Sequence, residues 1–333
     1  MPSRTIRISI IVPAYNAPQE LYECLSSLRA SCGPDSEILA VDDASTDNTP
    51  AVATQMGVRV LRLAENSGPA AARNYGARHA RGEILLFVDA DVVVAPGAVD
   101  RVVNLLEEHP DVAAVFGSYD ASPRAEGIVS WYRNLLHHFV HQNGNPEAST
   151  FWAGCGAIRR SVFETIGGFD QNRFPRPSIE DIELGNRLHQ AGYRILLDKA
   201  LQGTHLKRWT LWSMIRTDIR CRAIPWAGLV LENGHVPNDL NLKWEQRLSG
   251  ALVMQTLLLL LLSVVWVELL PFSAVMLLSV VVLNRKLYMF FFRKRGLCFA
   301  TACIPLHLLY YLYSVLSYLY VWIGFQLKGR VRV

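Results

Sequence analysis

Charge is scarce in this sequence. Asp, Glu, Lys and Arg make up 19% of its 333 residues and leave a net charge of +4, which gives no support to a nucleic-acid binder. The six cysteines include no CxxC pair, so neither a zinc site nor a dithiol redox motif is indicated. They read as reduced thiols of a protein facing the cytosol. A signal peptide is not expected either. A strand-like run begins by Ile6, with Arg4 and Arg7 around it, which keeps the first domain in the cytoplasm. The first strand–helix turn, Pro13–Glu20, has no GxGxxG, and this argues against a dinucleotide dehydrogenase.

What the sequence does hold is apolar: 51% of residues are hydrophobic, with the excess concentrated after residue 249. Before that point, β-rich runs at Arg7–Tyr15, Glu37–Asp43, Val58–Leu63, Ile84–Val88 and Val112–Phe116 alternate with stretches of helical spacing. Pro50 and Pro69 stand where helices open, and Gly57 and Gly82 where they end. Alternating strands and helices predict an α/β domain around a doubly wound, mostly parallel, Rossmann-like sheet.

The central stretch is Ile84–Asp91, five apolar residues that run into two carboxylates separated by one alanine. Such a run reads as a strand buried on both faces, and Asp89 and Asp91 fall at its carboxyl end, where open α/β sheets bind ligands. Two neighbouring carboxylates repel and need a counter-charge, which a divalent cation carrying a phosphorylated substrate supplies. Asp42 and Asp43 end another strand in the same way. Ends of neighbouring parallel strands lie close, so these four carboxylates are expected to share one crevice that suits a nucleotide. An aspartate-capped turn is the plainer alternative for each pair.

Taken in order, SIIVPAYN, VDDASTDNT and NSGPAAARNYGARHARGEILLFVDAD resemble the inverting glycosyltransferases of family 2, with the GT-A fold, over about residues 7–210. The resemblance implies that Asp89 and Asp91 are a DxD metal pair for Mg2+ or Mn2+. It places Asp43 and Asp42 near the nucleotide base, with Pro13, Ala14 and Tyr15 beside it, and Arg73 at a nucleotide contact. A solvated helix position is the plainer reading of Arg73.

Further along, Val129–His141 reads as a helix with His137 and His141 on one face. No third ligand follows at suitable spacing, so an aromatic and histidine surface is expected rather than a metal site. Ser149–Arg160 carries small residues between aromatics, and its glycines would let the backbone approach a sugar. Ile179–Gly192 has the spacing of a short helix with Glu180, Asp181 and Glu183 in its first turn, where the helix dipole favours carboxylates. The resemblance implies more: EDIELG matches the family's ED motif, which makes Asp181 the general base. His205, Arg208 and Trp209 match the shape of the QxxRW motif of processive members, with His in place of Gln, and this counts against processive synthesis. His205 is instead a candidate third metal ligand, with a diphosphate contact as the alternative. Lys207, Arg208 and Trp209 become candidates for binding diphosphate and a sugar face.

From residue 211 the pattern changes. Trp212–Leu231 is amphipathic, aromatic and basic, as an interfacial helix would be, and Asn233–Asn241 is a polar linker. Ser249–Val267 holds 19 uncharged residues, Leu269–Asn284 is a second uncharged run, and Gly296–Leu327 is uncharged for 32. Five Lys or Arg residues in Arg285–Arg295 are expected on the cytoplasmic side. The tail KGRVRV prefers that side too, which conflicts with a single crossing by the last run.

These readings combine into a catalytic domain over 1–210, an interfacial helix and linker over 211–248, and an all-α, multi-pass membrane region over 249–333 with about three spans. The expected activity is metal-dependent, inverting transfer of a sugar from a nucleotide-sugar donor to a lipid or lipid-linked acceptor at the cytoplasmic face. A polyprenyl-phosphate sugar synthase and a processive polysaccharide synthase are the alternatives.

Overall fold

The structure is a computed structural model that describes residues 6–234 and 238–328. Chain order begins β1 (Ile8–Ala14), α1 (Pro18–Ser31), β2 (Ser36–Asp42), α2 (Thr49–Gln55), β3 (Arg59–Arg62), α3 (Gly68–His79), β4 (Ile84–Val88) and β5 (Val92–Val94). It continues with α4 (Ala98–Glu108), β6 (Val112–Tyr119), α5 (Ile128–Gln142), β7 (Cys155–Arg159), α6 (Arg160–Thr165), α7 (Glu180–Gln190) and β8 (Arg194–His205). Then follow α8 (Leu211–Asp218), α9 (Ile224–Asn233), α10 (Trp244–Leu262), α11 (Leu270–Leu283) and α12 (Arg285–Lys328). The chain divides into two compact units, one of residues 1–125 and 141–207, the other of 126–140 and 208–333.

The first unit is built on one sheet of order β3-β2-β1-β4-β7-β6-β8-β5. β1, β2, β3 and β4 are mutually parallel, and β6 pairs in parallel with β8. β7 runs against both β4 and β6, and β5 runs against β8. The sheet is therefore mixed and Rossmann-like, with two reversed strands that the alternating pattern does not disclose. All five residues of β4 are buried, as the unbroken apolar run requires. Gly76 sets the depth of α3: a Cβ there would collide with Ile11 and Val41, so the helix lies directly on β1 and β2. That close seat brings Arg73, one turn earlier, toward the strand ends.

The second unit is helical among its described residues. The interfacial helix expected over 212–231 runs through a π-helical turn, Ile219–Ala223, with helical dihedrals on both sides, and Pro225 stands in the first turn of α9. Asp218, buried at the end of α8, accepts from Arg133 Nη2 at 3.0 Å, Arg222 Nη1 at 2.8 Å and Tyr313 Oη at 2.6 Å. A second polar knot joins the apolar helices. Asn284 Nδ2 donates to Ser249 Oγ at 2.9 Å, and the Tyr311 hydroxyl lies 2.9 Å from Asn284 Oδ1 and 2.7 Å from Gln246 Oε1.

Among the described residues one helix, Arg285–Leu327, is long and apolar enough to cross a membrane, and Arg295 and Gly296 interrupt its helical geometry. Of the other two expected spans, α11 has 14 residues, about 21 Å against a bilayer core of about 30 Å. The first turn of α10 carries Glu245 and Arg247, leaving a shorter uncharged part. Pro271 and the turn before it divide what the sequence shows as two long runs. Part of the linker, 235–237, and the tail, 329–333, lie outside the described residues.

Candidate active site

The loops after β1 and β2 are knitted together. Asn16 N–H donates to Ser45 Oγ at 3.0 Å, and Thr46 N–H donates to Asn16 Oδ1 at 2.9 Å. Both loops hold a non-glycine residue at positive φ, Asn16 at 47° and Ala44 at 58°, a strained geometry of the kind found at ligand-binding turns. Pro13 and Ala14 close β1, and Tyr15 is 48% exposed. Asp42 is buried, accepting from Ser45 N–H at 3.2 Å and lying 3.2 Å from Arg62 Nε. Asp43 faces the start of α3: its two carboxyl oxygens accept from Ser67 N–H at 2.8 Å and Gly68 N–H at 2.9 Å. Asp43 is thus engaged with backbone, and burial, opposed by those two bonds, raises its pKa.

The exit of β4 is fixed by its neighbours. Asp89 N–H donates to Gly154 O, and Leu206 N–H to Asp91 O at 2.9 Å. The antiparallel register of β5 on β8 pairs Val92 with His205. That register sets His205 Nε2 3.3 Å from Asp91 Oδ2. The imidazole also stacks on Tyr119, with ring centroids 4.3 Å apart and planes 12° from parallel. Burial pushes Asp91 upward, but His205 and Lys207 outweigh it and hold the carboxyl below the usual range. Asp91 is therefore an anion poised beside an imidazole.

Asp89 points elsewhere. Its Oδ1 takes Arg73 Nη2 at 2.7 Å, while Arg73 Nη1 reaches Glu180 Oε1 at 2.8 Å. The Arg73 side chain is 5% exposed and its guanidinium lies 5.4 Å from the Phe169 ring. Burial, with Asp91 and Glu180 nearby, raises Asp89 despite Arg73. Arg73 is thus buried between two carboxylates, neither a solvated helix residue nor open to a nucleotide from this pose. Asn74, its neighbour, clamps the turn at 167–170 by donating to Phe169 O at 2.8 Å and accepting from Phe169 N–H at 3.0 Å.

Glu180 opens α7, and Asp181 follows it. Asp181 Oδ2 accepts from Ala153 N–H at 3.1 Å, from the small-residue segment before β7. A Cβ at Gly185 would run into the backbone of Thr150 and Phe151, so glycine lets α7 lie against that segment. Burial, Glu180 and Asp89 push Asp181 to about 7, against Arg73 and the Ala153 N–H. A carboxyl of that kind accepts a proton near neutral pH.

Two expected residues sit in the other unit. Arg208 is exposed, whereas Trp209 is 5% exposed, its backbone N–H bonded to Ser130 Oγ at 2.9 Å. An indole so buried presents no open face to a sugar. The helical pair His137 and His141 forms no metal cluster: His141 Nδ1 meets Gly117 O at 3.0 Å. Among the described residues no three His, Cys, Asp or Glu side chains gather as a ready metal cage. Asp91 and His205, an oxygen and an imidazole donor side by side, are the residues that would hold a divalent cation. Residues that sequence reasoning missed are Glu180 as the partner of Arg73, and Tyr119 and Asn74 as supports.

Residues 9–167 match the family model "Glycosyl transferase family 2". An uncharacterized glycosyltransferase of Haemophilus influenzae is 34% identical over 173 residues, 48% of this chain and 55% of the relative. The chain thus spans about half the length of the curated relatives it matches first. Among solved structures, a mannosyltransferase from Pyrobaculum calidifontis in complex with GDP-Man and Mn2+ superposes with a TM-score of 0.60 at 21% identity, covering 94% of this chain and 87% of that one. S. aureus TarS in complex with UDP-GlcNAc gives 0.50 at 22% identity, covering 61% and 59%. At these identities the structural likeness shows a shared GT-A fold.

Proposed function

We propose that this chain, whose residues 9–167 match the family model "Glycosyl transferase family 2", is a membrane-anchored, inverting glycosyltransferase. It moves a sugar from a nucleotide-sugar donor to a lipid or lipid-linked acceptor at the cytoplasmic face. The observation that carries this reading is the convergence around the β4 exit. On one side Asp91 stands beside His205, and on the other Asp181 stands as a carboxyl poised near 7.

Asp91 and His205 would hold Mg2+ or Mn2+, and Asp89 would add the carboxyl oxygen that Arg73 does not take. When bound, the cation neutralises the diphosphate of the donor. Lys207 adds positive charge for the same group. Asp181 removes the proton of an acceptor hydroxyl as that oxygen forms a bond to the anomeric carbon. The bond from that carbon to the diphosphate breaks on the opposite face, which inverts the configuration. An acceptor phosphate, as in a polyprenyl-phosphate sugar synthase, is already ionised and needs no such base. The position of Asp181 therefore favours a hydroxyl.

The anchor rests on α12, with α10 and α11 as further membrane-embedded segments in a multi-pass arrangement. The test is incubation of the purified full chain with a panel of nucleotide sugars, Mn2+ and a lipid extract. Asp91→Asn and Asp181→Asn are each expected to abolish transfer while the protein stays folded and membrane-bound. Near-normal turnover in either variant removes its assigned role.

A further inference from the structure

Arg73 and Glu180 are two buried, oppositely charged side chains that the transfer step does not use. They come from helices far apart in sequence and meet through one hydrogen-bonded ion pair of 2.8 Å. Glu180 Oε2 also accepts from Ser178 N–H at 2.9 Å, which fixes the turn entering α7. The other arm of Arg73 holds Asp89 at 2.7 Å. One guanidinium thus ties the exit of β4 to the first turn of the helix that carries Asp181.

We propose that Arg73 and Glu180 are positioning residues. Their ion pair locks the first turn of α7 against the β4 exit, and their two charges set the electrostatic environment of Asp181 from opposite sides. This rests on Asp181 being the base of the reaction proposed above. The charges facing Asp181 are Glu180 from its own helix, Arg73 from α3 and Asp89 from the strand exit; the segment before β7 contributes the Ala153 N–H. Glu180 disfavours the ionised carboxylate and Arg73 favours it, so the two halves of one ion pair act with opposite sign on the same proton. A lysine at position 73 would keep the charge but could not hold both carboxylates in a fixed fork.

The test follows the ionisation of Asp181 directly. Full-length protein in detergent micelles carries aspartate labelled with carbon-13 at the carboxyl, and the Asp181 signal is assigned by its loss in Asp181→Asn. Glu180→Gln is expected to move the midpoint of Asp181 to lower pH, and Arg73→Gln to higher pH, by about one unit each. Arg73→Lys is expected to leave the midpoint near wild type while lowering the rate of sugar transfer. Midpoints that stay put, or that move in the same direction in both neutral variants, overturn the proposal. If Arg73→Gln does not fold, Glu180→Gln decides alone: a midpoint that stays or rises is fatal. The titration does not depend on turnover. Opposite shifts in a protein inert toward every nucleotide sugar would refute the functional reading and leave the clamp standing. Transfer with unmoved midpoints would do the reverse.

Discussion

Asp181 has two properties that one substitution separates. Its carboxyl is raised from 3.8 to about 7 by burial, Glu180 and Asp89. The folded state therefore holds this proton more tightly than the unfolded chain does. The resulting stabilisation is fully present below 3.8 and is lost as pH rises to about 7. Asp181→Asn removes that loss. Its melting temperature is expected to exceed that of wild type at pH 8 and to match it near pH 4, by roughly 2–4 °C for each kcal/mol recovered. Equal melting curves at both pH values would show that the carboxyl is not raised. The EDIELG motif made the acidic turn legible in sequence. The partner of Glu180 was not legible, because Arg73 lies 107 residues away and only the fold brings them together. The burial of Trp209 was equally hidden, since an aromatic in a basic stretch reads the same whether it faces a ligand or a helix.

Among elements, β4 and α3 followed directly from pattern: an unbroken apolar run, and a Gly-Pro start before small residues. β7 and β5 did not. Cys155–Arg159 is a strand within a glycine and aromatic stretch whose sequence reads only as a backbone approach to a sugar, and Val92–Val94 is three residues long. Both reversed strands matter for the site. β5 on β8 sets His205 beside Asp91, and the segment before β7 supplies the N–H that holds Asp181. After β2, Asp43 serves α3. With no side-chain cap at Ser67, the first N–H groups of that helix rely on the Asp43 carboxylate. Asp43→Ala is expected to cost about 1–2 kcal/mol, in the range of lost N-caps, read as a lower melting temperature of the full chain. Asn at the same position is expected to recover part of it. An unchanged melting temperature in Asp43→Ala would leave Asp43 free for the nucleotide base alone.

At the scale of the molecule, the apolar surplus of the sequence ends up on the surface of the second unit. Val264 is 85% exposed, Val265 72% and Trp266 55%, in the turn between α10 and α11. Exposed apolar surface on this scale calls for a lipid or protein cover. Uncharged runs made the apolar region legible in sequence, but hydropathy could not foresee how turns would shorten two of its helices. If the helices are embedded as proposed, membranes washed in alkaline carbonate are expected to retain the protein. Its release into the supernatant would show that it is bound only at the surface.

The most direct measurement is transfer of labelled sugar from each of a panel of nucleotide sugars into a lipid extract, with Mn2+, by wild type and by Asp181→Asn. Label is expected in the lipid phase with at least one donor, joined through a linkage inverted at the anomeric carbon, and absent with Asp181→Asn. Label from no donor, retention of configuration, or equal label with the variant would contradict an inverting transfer driven by Asp181.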